Sequence, residues 1–449
     1  MKLTKQIAAL SALTFCTTAY GDVTVDITGA TAFRAAALTA IRAKYNASNA
    51  AYQFAHDQAS GLYTGATRSI FKGTFPGIAG VTTVRTSFNG SVEGIRALVD
   101  SPASDPTYYT EISGNLVTAA AIGGGETHKD TPLFAKTVAA SQSEIAFSDV
   151  SKAATPYSGF SLQPSDATCG VVVFTMLTNE GSPVTNVTSQ QFRALMTNGF
   201  QPRSLFSGVA ADNPDGDAPG PNAGYVFGTG RNDGSGTRTT YLGETGYGVA
   251  NAVKQYVTNV SSGTALTTIQ LVPAGGVNVP ASAGQLADNK STVWGNDIAG
   301  NGGYSSGSAL RTDMGKTGAA VTVLDDTGAD AFGAPVKADL VTWLSLNDAI
   351  TARGNGAIFC SFNGVKLNDI ALAGSTMSAT DRAKVTEGVY TAWGFQQLYR
   401  RNDITSGDAV TVYAGIKTAL ETPANLGAAG ITVPEMHVGR PFDGGTVAP

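Results

Sequence analysis

Histidine, cysteine and charge are all scarce in this chain of 449 residues. Its three histidines, His56, His128 and His437, lie far apart, and none has a cysteine or carboxylate at ligand spacing, which argues against a metal centre. Only 14% of residues are charged, and 34 acidic side chains outnumber 29 lysines and arginines, for a net charge of −5. No basic face is available to a phosphodiester backbone, so a nucleic-acid partner is excluded. Any anion held here must be held locally, by backbone dipoles and one or two arginines. Beyond the N-terminal segment, no run approaches the ~20 apolar residues that span a membrane. A Ser-His-Asp order and a G-x-S-x-G elbow are missing too, and nothing in the pattern calls for a cofactor, so catalysis is not expected.

What is abundant is apolar residues, at 42%, and glycine, at 54 positions. A chain of this length can bury a large core and suggests two or three domains. Residues 1–21 read as a signal peptide: Lys2 and Lys5 are a positive start, Ile7 to Phe15 an apolar centre, and Ala19-Tyr20-Gly21 a small-x-small cleavage site. The mature protein is expected to begin near Asp22 and to be periplasmic or secreted. Phe15 stands where a lipobox before Cys16 has a small residue, so a cleaved, soluble product is expected. Cys169 and Cys360 remain; a disulfide and two buried thiols are both open.

Four loops stand out. Tyr225-Val226-Phe227 reads as a short strand, followed by Gly230-Arg231-Asn232-Asp233-Gly234-Ser235-Gly236-Thr237, which places Ser235, Gly236 and Thr237 at the start of a helix. Helix-initial N–H groups have no internal partner, and glycines let a ligand approach them, while Arg231 offers a planar fork to an oxyanion. The strand Val23–Ile27 and a helix from about Arg34 flank a second loop, Thr31-Ala32-Phe33. The strand Gly80–Phe88 leads to a third, in which Ser91 reads as the N-cap of the next helix. A strand ending at Ser148 delivers Asp149 to the edge where open α/β sheets bind ligands. Further on, Gly170–Phe174 reads as a buried parallel strand and Thr188–Gln191 as a capping box, whereas Asn289–Gly307 is polar, glycine-heavy and without evident chemistry.

The run R-x-D-G-S-G-T at Arg231–Thr237 resembles the phosphate-contacting loop of PstS-like periplasmic phosphate-binding proteins. The other loops are similar to that family's in the same order: Thr31-Ala32-Phe33 to its first turn, with Thr31 one residue ahead of the family hydroxyl and Ala32 in its place; Ser91 to its G-S-x-x-G-I segment; and Ser148-Asp149 to F-G-A-S-D-A-P. The passage from Val171 to Met196 resembles the segment where the chain crosses between lobes, Phe362-Asn363-Gly364-Val365 a Y-N-G-V hairpin, and Glu387–Gly394 a second crossing. The resemblance implies an α/β, two-lobed type 2 periplasmic-binding-protein fold with the ligand in the cleft. Residues 22–168 would form the first part of lobe one, 169–390 lobe two, and 391–449 the return to lobe one with the tail. It further implies a monomeric receptor for inorganic phosphate, with an ABC permease as a possible partner. The implied contacts are Thr31, Ala32, Phe33, Ser91, Asp149, Arg231, Ser235, Gly236 and Thr237. Asp149 would accept a hydrogen bond from a protonated oxygen of monohydrogen phosphate and so reject sulfate. The alternatives are an exported phosphoesterase on the same scaffold and a secreted surface or adhesion protein that keeps the fold without the ligand.

Overall fold

Strand–turn–helix units follow one another where apolar alternation gives way to helical spacing. A computed structural model describes residues 22–48, 52–57, 63–102, 105–110, 117–118, 138–276, 293–295, 297–367 and 377–449; residues 1–21, where a signal peptide is expected, and His128 lie outside them. Strand β1 (Val23–Gly29) runs into helix α1 (Arg34–Ser48), strand β2 (Thr82–Ser87) into α2 (Ser91–Val99), and strand β3 (Ile145–Ser148) ends beside Asp149. Then follow β4 (Thr168–Thr178), α3 (Ser189–Asn198), β5 (Phe200–Pro202), β6 (Tyr225–Gly228) and α4 (Gly236–Glu244). The chain continues through α5 (Gly307–Met314), β7 (Ala338–Ser345), α6 (Leu346–Gly354), β8 (Trp393–Arg401) and α7 (Asp408–Leu420). The expected capping box starts α3: Thr188 Oγ1 accepts from Gln191 N at 3.2 Å, and Gln191 Oε1 from Thr188 N at 2.8 Å.

All of these strands belong to one sheet, within which the order β5-β6-β7-β4-β8-β3-β1-β2 is continuous. Its two halves repeat a pattern. In one, β2, β1 and β3 are parallel and β8 runs antiparallel beside β3; in the other, β6 and β7 are parallel and β4 runs antiparallel beside β7. The antiparallel strand in each half is one that crosses over. Thr168–Val173 of β4 pairs with β8, and Phe174–Thr178 pairs with β7, so this strand passes from one half to the other, as β8 does in returning. The expected strand at Gly170–Phe174 is therefore buried but antiparallel on both sides, not parallel. A continuous apolar run reports burial of both faces, and strand direction is decided by partners far away in sequence.

Each half has its own core, so the protein is a two-lobed α/β molecule. The smaller core joins β1, α1 and α7 through Ile27, Ala37, Ile41, Phe147, Val412 and Ile416. The larger unites β4, α3, β6, α4, β7 and α6, and the tail residues Ala429 and Ile431 belong to it. At its centre Trp343 of β7 is fully buried against Phe192 and Phe362, with Tyr241 of α4 at a ring distance of 6.4 Å. That packing seats α4 on the sheet and points its N-terminus at the lobe junction. Cys169 and Cys360 are buried free thiols. Among the described residues no helix is long and apolar enough to cross a membrane.

Candidate functional site

The four loops end at one place. Thr31–Phe33 joins β1 to α1, Ser91 opens α2, Asp149 follows β3, and the Arg231 loop follows β6, so all lie at the sheet edge where the lobes face each other. The named site side chains are buried, none more than 8% exposed. Ser235 is the N-cap of α4, in extended backbone, as expected from its spacing.

Arg231 bridges the lobes. Its Nη1 donates to Thr31 Oγ1 at 3.0 Å, its Nε to the Tyr304 carbonyl at 2.9 Å and its Nη2 to the Ser305 carbonyl at 2.7 Å. Thr31 thus accepts from the arginine of the opposite lobe. Ala32 lies against the larger core and Phe33 in the smaller one, so the methyl at 32 serves an apolar contact across the junction. Gln255 supports the Arg231 loop from behind: its Nε2 donates to the carbonyls of Arg231 at 3.2 Å and Gly302 at 2.8 Å, and its Oε1 accepts from Tyr241 Oη at 2.9 Å. The stretch that looked chemically empty in sequence, Asn289–Gly307, therefore supplies two carbonyls that aim Arg231. Backbone acceptors leave no trace in residue identity, so no sequence signal marked them.

Asp149 sits opposite. Its backbone N–H donates to Ser91 Oγ at 3.1 Å, while its Oδ1 is buried without a partner. Ser91 is therefore not the N-cap read from sequence. Gly90 takes that position without a side-chain bond, at φ 131°, where a side chain would be strained, and Ser91 turns its hydroxyl to the Asp149 backbone. Burial pushes the Asp149 carboxyl up from 3.8 to about 7, opposed by the Ser91 hydrogen bond and the Arg231 charge and reinforced by Asp443. Burial likewise lowers the Arg231 guanidinium to about 10, with Asp348 and Asp149 opposing and Arg34 adding to the effect. At neutral pH the site thus pairs a charged arginine with a carboxyl close to half-protonated.

The lobes touch here. Val92 N and Glu93 N, at the start of α2, donate to the Gly234 carbonyl at 3.0 and 3.3 Å, so a carbonyl of lobe two occupies that helix end. A methyl on Gly236 would run into Ser91 Oγ and stand 2.9 Å from Asp149 Cβ. Gly236→Ala is expected to cost the closed arrangement about 1–3 kcal/mol by overpacking. Small-angle scattering should then show a larger radius of gyration, and an unchanged radius would mean that the lobes do not meet at this glycine.

One functional candidate escaped sequence reading. Arg34, the first residue of α1, is only 5% exposed, and its Nε is buried without a partner. A sequence signal existed: an arginine at a helix N-terminus opposes the helix dipole, which favours anions there. Nearby, Asp348 accepts from Arg311 Nη1 at 2.8 Å and from Ser345 Oγ at 3.3 Å. Neither of the two described histidines has a hydrogen bond to the site residues named above. His56 is buried in a strand of lobe one, His437 faces Glu387 with Nδ1 and Oε1 2.6 Å apart, and among the described residues no group of three His, Cys, Asp or Glu could hold a metal.

No protein-family model matches the chain, and no curated protein does. Solved structures do. An ABC-type phosphate transport receptor from Vibrio cholerae is similar over 89% of this chain and 96% of its own, at 11% identity and a TM-score of 0.39. A phosphate-binding protein from Stenotrophomonas maltophilia matches over 89% and 83%, at 12% identity and a TM-score of 0.34. PstS from Borrelia burgdorferi matches over 88% and 92%, at 10% identity and a TM-score of 0.32. The chemistry of the site rests on the residues of this chain alone.

Proposed function

We propose that this protein is an exported solute receptor that holds inorganic phosphate, as the monohydrogen dianion, between its lobes. Lobe one would contribute Thr31, the backbone of Ala32 and Phe33, Ser91 and Asp149; lobe two would contribute Arg231, Ser235, Gly236 and Thr237. The observation that carries the reading is a buried Arg231 from one lobe whose charge acts on a buried Asp149 of the other, which has one unpartnered oxygen. Such a pair suits an anion that is charged and still carries a proton, because the arginine serves the charge and the carboxylate accepts the proton. The N-terminus of α4 adds N–H groups and a favourable dipole, which is how a chain of net acidic charge can hold an anion. The role is binding and hinge closure without turnover, and delivery to an ABC permease is the use such a receptor would have.

The experiment is calorimetric titration of the mature protein, stripped of bound anion, with phosphate and then with sulfate. Micromolar or tighter binding of phosphate, and none of sulfate, is the expected result; sulfate binding as tight as phosphate would sink the reading. A second reading is a secreted surface protein that keeps the fold without a ligand. The Gly234 carbonyl on the α2 N-terminus favours it, since that helix end is already occupied. Heat from neither anion would decide for it.

A further inference from the structure

Arg34 carries three costs, opposed only by the charges of Asp348 and Asp57 and by no hydrogen bond to its Nε. Its guanidinium is buried, with 5% of the residue exposed. Its Nε has no hydrogen-bond partner, and a buried charge left unpaired is expensive. It also stands at the first position of the fifteen-residue α1, where the helix dipole disfavours a cation. Each cost changes sign if an anion arrives, because an anion pairs the charge, satisfies the Nε–H and is welcome at a helix N-terminus.

The position of Arg34 says which anion. Thr31, three residues earlier, receives the Nη1 bond of Arg231, so the segment that leads into Arg34 is the one that Arg231 touches from the opposite lobe. Their charges act on each other, Arg34 lowering the Arg231 guanidinium, and both feel Asp348. Arg311 holds one oxygen of Asp348, so that carboxylate does not neutralise both arginines.

We infer that Arg34 is a second anion ligand, and that the bound oxyanion is gripped between the guanidinium groups of Arg34 and Arg231. Two forks suit a doubly charged tetrahedral anion better than a monoanion. The inference rests on the phosphate reading above and deepens it by naming a contact outside the four loops.

The test uses wild type, Arg34→Met and Arg34→Lys, each titrated with inorganic phosphate and melted with and without it. Arg34→Met should weaken phosphate binding by about 30-fold or more, which is the loss of a charge-assisted pair. Without phosphate it should melt no lower than wild type, since an unpaired buried charge has been replaced by apolar atoms. Arg34→Lys should fall between, keeping a charge but not the fork. Affinity of Arg34→Met within threefold of wild type would overturn the inference while leaving the phosphate reading intact. Melting of the phosphate-free Arg34→Met protein well below wild type would also overturn it, because the arginine would then be holding the fold. Wild type that binds no phosphate would remove both readings together.

Discussion

Arg231→Ala should weaken phosphate binding by roughly 100- to 1000-fold, the largest effect of any single substitution here, with loss of the buried partner of a charge pair costing about 3–4 kcal/mol. The reason lies in what the guanidinium does without ligand. Three of its N–H groups are already committed, to Tyr304 O, Ser305 O and Thr31 Oγ1, at 2.9, 2.7 and 3.0 Å. Those bonds hold its plane in one orientation, so little rotamer entropy remains to be lost when an anion binds. Alanine removes the charge, the fork and the one side-chain bond from this residue to the facing lobe. Arg231→Lys should recover part of the affinity, since a point charge cannot bridge the two carbonyls and the anion at once. Calorimetric affinity of Arg231→Ala within tenfold of wild type would show that the anion binds elsewhere.

Asp149→Asn should have the second largest effect, and on selectivity more than on affinity. Above pH 7 the wild-type carboxyl is ionised: its unpartnered Oδ1 can accept the proton of monohydrogen phosphate, but it repels sulfate, which has no proton to offer. Below pH 7 the carboxyl carries its own proton and can donate to either anion. The preference for phosphate over sulfate is therefore expected to fall as pH drops from 8 to 6. In Asp149→Asn the amide donates at every pH, so the preference should be reduced by about 100-fold or more at pH 8 and become independent of pH. A wild-type preference that stays constant across this range would remove the proton-reading role.

The same residue sets a slope in stability. The folded carboxyl titrates near 7 instead of 3.8 because burial penalises its charge, so the folded state holds a proton that the unfolded chain has released. The anion-free protein should then lose stability as pH rises from about 4 to 7. At about 1.36 kcal/mol for each tenfold in protonation, the loss has a ceiling of ~4 kcal/mol. Asp149→Asn should lack that slope and melt higher than wild type at pH 8 without anion. Such a cost, sited where a proton-bearing ligand would remove it, is what a stability–function trade-off looks like.

The local units were readable because local forces decide them. Alternation in Val23–Ile27, the Thr188–Gln191 capping box and the extended Ser235 before α4 depend on neighbours only a few positions away. The same holds for the Phe362–Val365 hairpin, where Asn363 at φ 49° and Gly364 at φ 85° turn the chain. The order of the loops, each following a strand and preceding or joining a helix, was enough to place them on one sheet edge. Residue identity was also enough to mark Arg231 and Asp149 as the charged pair.

Tertiary structure decided what depends on distant partners. The run at Gly170–Phe174 announced burial, but its direction came from β7 and β8, more than 150 residues further along. Ser91 had the chemistry of an N-cap, but a closer claim on its hydroxyl came from the Asp149 backbone, 58 residues away. The carbonyls that aim Arg231, the carbonyl that occupies the α2 N-terminus and the burial that leaves Arg34 Nε without a hydrogen bond are properties of position alone. A sequence names the donors and acceptors a chain possesses. Which of them are spent on the protein itself, and which remain for a ligand, is settled only when the lobes come together, because a hydrogen bond is satisfied by proximity and not by residue type.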